Sequence, residues 1–318
     1  MTAERIRNRL NAELQRLKHL QLFRQHRVTE SLPDGRCRVD ERTLINFGSN
    51  DYLNLAHEVM QSEHIRELAS QGLGATGSEL LTGHSEWHEQ LEHALAEFEG
   101  TEAAVLFPSG FSANIGVLQS LVTSADAVFC DRDNHASLID GARCSDGEFF
   151  VFRGDRPEVL ERSLARRRSQ FDQVLIVTDG VFSMDGRVAD LNALCDIAER
   201  HDALVIVDEA HGTGVLGANG RGATEVCGVE HRVFLRIGTL SKALGGLGGF
   251  AVSDHITIDW LRNSARSRFF STALPPLICA AMLESLRVVD EQPERRARLR
   301  ELTDFANSEI RRLGLNSV

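Results

Sequence analysis

Lysine is nearly absent from this chain. Of its 35 basic residues only Lys18 and Lys242 are lysines, and every other one is arginine. Further shortages set limits on function. The six cysteines (Cys37, Cys130, Cys144, Cys195, Cys227 and Cys279) are scattered with no CxxC pair, so reduced, mostly buried thiols of a cytosolic protein are expected. No segment reaches the roughly 18 uninterrupted apolar residues of a membrane span. The N-terminus is charged throughout and lacks the apolar core of a secretory signal. A soluble, cytoplasmic protein with no membrane partner is the expectation. Positive charge is also short overall. A net charge of −11 argues against a nucleic-acid partner. The run Arg166-Arg167-Arg168 and the cluster Arg295, Arg296, Arg298 and Arg300 lie in Glu-containing helical stretches, and both read as solvated faces.

What is present is an alternation of strands and helices. Short, continuously apolar runs predict strands at Ala104–Phe107, Ala127–Cys130, Val174–Thr178, Leu204–Asp208, Val233–Ile237 and Phe250–Ser253. Helical spacing predicts helices over 85–99, 112–122, 190–201 and 256–267. An amphipathic helix is expected over 3–26, and a short strand followed by a polar loop over Asn46–Leu53. Such alternation implies an α/β fold, a mainly parallel sheet with helices on both faces. Ligands on these sheets lie beyond the carboxyl ends of the strands. Two more helices, over 277–290 and 293–313, precede a strand-like Leu315-Asn316-Ser317-Val318, which reads as a truncated chain. The expected domains are an N-terminal helix and strand segment over 1–47, a large domain over 48–276, and the start of a small C-terminal domain over 277–318.

Two motifs mislead. Val205–His211 matches the DEAH form of a Walker B strand, but the chain has no Gly-Lys pair to make the matching phosphate loop. Gly212-Thr213-Gly214-Val215-Leu216-Gly217 matches GxGxxG, yet it lies two-thirds along the chain and its acid precedes the glycines. Both an NTPase and a dinucleotide site are disfavoured. His84 and His88 are four apart, but no acid or Cys completes a convincing metal set, so no metal is expected.

The chemistry gathers at strand ends. A lysine amine can lose its proton and bond to a carbonyl, which a guanidinium cannot do. Lys242 sits in Gly238-Thr239-Leu240-Ser241-Lys242-Ala243-Leu244-Gly245-Gly246. That setting suggests amine chemistry, the alternative being a residue left by Arg-biased codon usage. Asp208 ends an apolar strand, with His211 three residues on. Pro108-Ser109-Gly110-Phe111-Ser112 joins a strand to a helix and can offer backbone N–H groups to a phosphate. Lysine, buried acid and phosphate cradle together suggest pyridoxal 5'-phosphate.

With these residues the chain resembles the α-oxoamine synthases. The resemblance rests on Ser49-Asn50-Asp51-Tyr52-Leu53, Ser109–Asn114, Asn134-His135-Ala136-Ser137, Val181–Gly186, Asp208–Gly214 and Thr239-Leu240-Ser241-Lys242. It implies a fold-type-I pyridoxal-phosphate transferase. It also implies an acyltransferase reaction between an amino acid and an acyl-CoA or acyl-ACP thioester, in a homodimer. Lys242 would carry the cofactor and act as acid and base, Asp208 would pair with the ring nitrogen, and His211 and Ser183 would meet the ring edge. His135 would stack on the ring and meet substrate, while Gly110, Phe111 and Thr239 would line the cofactor. Arg24, in the N-terminal helix, would meet a substrate carboxylate. Alanine is the expected amino acid. A glycine- or serine-using member is the alternative enzyme, and a catalytically silent subunit the non-enzyme alternative. Glu79 departs from the family, which commonly carries Arg there.

Overall fold

A computed structural model describes residues 2–70 and 72–315. It divides into two units, Met1–Gly48 and Ser49–Val318. The first holds helix α1 (Thr2–His19) and a three-stranded antiparallel sheet of β1 (Thr29–Ser31), β2 (Arg36–Val39) and β3 (Arg42–Ile45), in that order. The expected helix over 3–26 therefore stops early. Gln21 adopts a φ of +56°, a left-handed turn that ends the helix while the leucine pattern runs on to Leu20 and Leu22. The expected strand over Asn46–Leu53 is displaced to β3, whose register partners lie in β2.

The second unit runs through α2 (Glu63–Ala69), α3 (Glu86–Glu99), β4 (Ala103–Phe107), α4 (Gly110–Leu121), β5 (Ala127–Asp131), α5 (Ala136–Cys144) and β6 (Glu148–Phe152). It continues with α6 (Pro157–Arg167), β7 (Val174–Asp179), α7 (Leu191–Arg200), β8 (Leu204–Asp208), α8 (Ala223–Val226), β9 (Leu235–Thr239) and β10 (Gly249–Ser253). Helices α9 (His255–Ser264), α10 (Arg266–Phe269), α11 (Pro276–Glu291) and α12 (Glu294–Arg312) complete it. The strands form one sheet of order β4-β10-β9-β8-β7-β5-β6. Only β10 runs against its neighbours. The sheet is α/β and mostly parallel, as the alternation requires.

Side-chain parity sorts the core. Val105, Phe107, Val128, Leu175, Val177, Ile206 and Ile237 face one way, under α4, α5 and α9. On the opposite face, Leu106, Phe250 and Val252 pack with α3 and α11, while Phe129, Ile176, Val205 and Val207 pack with α6 and α7. Each burial of a Leu, Ile or Phe side chain is worth about 1.5–3 kcal/mol, and these strands are buried on both faces. β6 escaped sequence reading because it is an edge strand, half exposed and begun by a glutamate. Arg296 also departs from expectation. It is buried, donating to the carbonyls of Val289 and Ala218 rather than to water. Among the described residues no helix is long and apolar enough to cross a membrane.

Candidate active site

The carboxyl ends of β4, β5, β7, β8 and β9 share one edge of the sheet, and the expected chemistry converges there. Lys242 lies in the loop that turns β9 into β10. Leu240, Ala243 and Leu244 anchor that loop in the core. Its ends are tied by Leu240 N–H to Gly248 O at 3.0 Å and Gly246 N–H to Leu240 O at 2.8 Å. Gly245 adopts a φ of +71° and a Cβ there would meet the Ala56 backbone nitrogen at 2.5 Å, so a larger residue would push the loop off its bed.

The Lys242 amine is half-buried and lies 2.8 Å from His211 Nε2. The other ring nitrogen, His211 Nδ1, lies 2.7 Å from the Tyr52 hydroxyl, which in turn reaches Asn50 Oδ1 at 3.3 Å. A lysine ammonium is a donor only, so Nε2 accepts, Nδ1–H donates to Tyr52, and Tyr52 donates to Asn50. Burial, then the neighbouring Lys242 and His135, push His211 down to about 4, so the ring stays neutral in this relay. Burial also pulls Lys242 below the ordinary lysine value, against the opposing pull of Asp208 and Asp179. Free amine is therefore more accessible near neutral pH than on an exposed lysine.

Asp208 ends β8 and is buried. Its Oδ1 accepts from Ala210 N–H at 2.8 Å and its Oδ2 from Asn114 Nδ2 at 2.6 Å. The same Asn114 amide donates to Ser137 Oγ at 2.8 Å, and that hydroxyl lies 2.7 Å from His135 Nδ1. Nδ1 already accepts from the Ser137 backbone N–H at 3.3 Å, so the Ser137 hydroxyl donates to it and the His135 proton sits on Nε2. His135 is the N-cap of α5. Capping and site membership are thus compatible, since the cap fixes the ring's tautomer.

The residues fit pyridoxal phosphate. Asp208 is a buried carboxylate whose hydrogen-bond donors are neutral, so a protonated ring nitrogen is the cation its place favours. Asn114 Oδ1 is buried and lacks a hydrogen-bond partner, a further polar atom facing this cluster. At the opening of α4 the Gly110 and Phe111 N–H groups belong to the first helical turn, which has no intrahelical acceptor for them. Gly110 leaves room for close approach, its Cβ position lying 3.2 Å from Thr239 Cβ. Thr239 Oγ1 donates to Gly248 O at 2.9 Å and lies 2.8 Å from Ser241 Oγ.

Lys242 and His211 are thus joined by one short contact, and Asp208 and His135 through Asn114 and Ser137, with Gly110 and Thr239 side by side at the same edge. Phe111 is half-exposed beside Gly110. Ser183 stands on the exposed loop after β7, and among the described residues no hydrogen bond joins it to this cluster. Arg24 lies past the end of α1, exposed in the N-terminal unit rather than in the helix. Sequence reading missed Tyr52, Asn114 and Asp179 as site residues. The first two were visible inside quoted motifs, and Asp179 as a second acid closing an apolar run. Glu209 of the DEAH motif is structural, accepting from Ala223 and Thr224 N–H at 2.8 and 2.7 Å. Glu79 is buried in an ion pair with Arg268.

Comparison with known proteins agrees with this chemistry. The family model for class I and II aminotransferases matches residues 42–318. The 8-amino-7-oxononanoate synthase of Geotalea daltonii is 43% identical over 281 residues, 88% of this chain and 72% of that protein. 8-Amino-7-oxononanoate synthase 2 of Bacillus subtilis is 40% identical over 306 residues, 96% of this chain and 78% of that one. Among solved structures, a serine palmitoyltransferase variant from S. paucimobilis with a bound PLP–myriocin aldimine superposes with a TM-score of 0.90 at 31% identity. It covers 96% of this chain and 78% of that one.

Proposed function

The chain belongs to the class I and II aminotransferase family and within it to the α-oxoamine synthases. From that membership we propose that it condenses L-alanine with a pimeloyl thioester, on CoA or on acyl-carrier protein, to give 8-amino-7-oxononanoate for biotin synthesis. The observation that carries this reading is a half-buried Lys242 amine 2.8 Å from His211, at the same sheet edge as the buried Asp208 carboxylate.

Bound pyridoxal phosphate supplies an aldehyde for the amino group and a ring that absorbs the electron pair left on the α-carbon. The rest falls to the protein. Asp208 holds the ring nitrogen in its protonated form. Lys242 would take the α-proton of the amino acid as a base and return one later. His211 stays neutral and keeps its Nδ1–H on Tyr52. His135 presents Nε2–H toward the substrate, and the opening of α4 with Thr239 holds the phosphate. In the overall reaction a bond forms between the α-carbon and the acyl carbon, the thiol leaves, and the carboxyl group departs as CO₂. Ser183 and Phe111 join the site as ring-edge and cofactor contacts. The same reading makes the protein a cytoplasmic homodimer.

Borohydride reduction of the cofactor-loaded protein, followed by peptide mapping, tests the centre. Label on Lys242 is the expected result, and label on Lys18 or none at all overturns it. Thiol release across a panel of amino acids tests the substrate. A preference for glycine over alanine would replace alanine in this reading.

A further inference from the structure

A second acid stands beside Asp208. Asp179 ends β7 as Asp208 ends β8, and the two are direct register partners. In-register residues on parallel neighbours project to the same face, with Cα atoms about 5 Å apart. Both carboxyls are buried, on the face covered by α4 and α5. Asp179 Oδ2 accepts from the His135 backbone N–H at 2.8 Å, and Asp179 N–H donates to Asn134 Oδ1 at 2.9 Å. Asn134 also donates to Val177 O at 2.9 Å. The contacts therefore close a ring: Asp208 to Asn114, to Ser137, to His135, to Asp179, and back across the sheet to Asp208.

The ring holds two carboxyls, and the amine that faces them is Lys242. Asp208 is the better solvated, with an N–H donor on each oxygen. Asp179 has one donor on its side chain. When two acids compete, the one with fewer donors takes the proton. We propose that Asp179 is a further positioning residue of this centre, holding the His135 turn in place as a neutral carboxylic acid and leaving Asp208 to carry the negative charge. The groups around it agree. Burial and then Asp208 push Asp179 up to about 8. The His135 N–H and Lys242 pull it back, and Asp131 of β5 adds to the rise. His135 is tied at both ends by this arrangement, its ring through Ser137 and its backbone through Asp179.

Two variants test this. Asp179→Asn keeps an acceptor for His135 N–H and is neutral at every pH, whereas Asp179→Ala removes the acceptor. Cofactor affinity, read from the visible absorbance of the loaded protein, should fall about tenfold in the Ala variant and stay within about threefold in the Asn variant. A second arm uses cofactor-free protein. A folded-state acid raised above its unfolded value gives stability that is present at low pH and lost as pH climbs through the raised value. From pH 5 to 8 the melting temperature of the parent should therefore fall relative to Asp179→Asn by roughly 5 °C. An Asn variant that loses cofactor as badly as Ala overturns the proposal. So does a parent whose melting follows the Asn variant across that range, a comparison that stands even if the Ala variant fails to fold. The affinity arm rests on the proposed function and the melting arm does not. A parent that takes up no cofactor would sink that function while the melting curves still judge Asp179.

Discussion

Replacing Tyr52 with Phe is a sharp test of the relay at Lys242. The change removes one oxygen, 2.7 Å from His211 Nδ1, and leaves the ring's bulk in place. The Nδ1–H then has no acceptor in a half-buried site, at a cost of about 1–3 kcal/mol. Protonation offers no escape, because burial and Lys242 hold His211 down at about 4. The ring can instead move its proton to Nε2. That turns a donor toward the Lys242 ammonium and breaks the 2.8 Å contact, which is worth about 1 kcal/mol. That second route withdraws support from the charged amine. A loss of about 1 kcal/mol corresponds to roughly a fivefold rise in free amine at a given pH. The scarcity of lysine makes this measurable. Cofactor-free protein is pulsed with an amine-acylating reagent across pH, and the peptides holding Lys18 and Lys242 are quantified separately. In Tyr52→Phe the midpoint for Lys242 should move to lower pH while Lys18 serves as internal reference. A midpoint unchanged for Lys242, or one moved to higher pH, refutes the relay as drawn.

Other changes probe the frame around the site. Gly249→Ala would place a Cβ 2.5 Å from Ser109 O and 2.6 Å from Gly110 N, both backbone, so the turn opening α4 must shift. Destabilisation of about 1–3 kcal/mol and cofactor affinity lowered at least tenfold are expected, checked by urea unfolding and absorbance titration. Arg296→Ala removes two donors from buried carbonyls of Val289 and Ala218. It should cost about 2–3 kcal/mol in unfolding experiments, while the absorbance of bound cofactor keeps its position, since Arg296 contacts none of the site residues named above.

Much of this was legible in the sequence because burial and chemistry leave different marks. Short, β-branched runs such as Val205-Ile206-Val207 read as strands buried on both faces, and Asp208 at such a run's end stands out as a charge at the limit of the core. A lone lysine after the next strand stands out equally. Contacts across long separations left no such mark. Tyr52 and His211 are 159 residues apart, and Asn114 and Asp208 are 94 apart, so their pairing follows from topology alone. Asp179 was overlooked because its run reads as ending at Thr178, although the strand extends one residue further and pairs with Asp208. The Arg-rich cluster misled for a related reason. A guanidinium satisfied by carbonyls looks identical, in sequence, to one satisfied by water.

The apolar core and the reactive centre are therefore one construction. Val177 and Ile206, two residues before Asp179 and Asp208, lie in the layer beneath α4 and α5, so the acids inherit its low polarity. That same burial pulls Lys242 toward the free amine, keeps His211 neutral and raises Asp179 above the ordinary carboxylate range. An exposed copy of these side chains, with identical spacing, would hold an ammonium, a titrating imidazole and two carboxylates. Helices α4 and α5 supply more than cover. Asn114 reaches down from α4 to join Asp208 to Ser137, and His135 caps the start of α5. A loosened contact between those helices would thus release His135 and unsettle Asp208 together. Core substitutions such as Leu118→Ala or Leu138→Ala, far from any reacting atom, are expected to lower cofactor affinity as well as stability. A variant of either kind that loses roughly 2–5 kcal/mol of stability yet binds cofactor as the parent does would show that the two layers are independent.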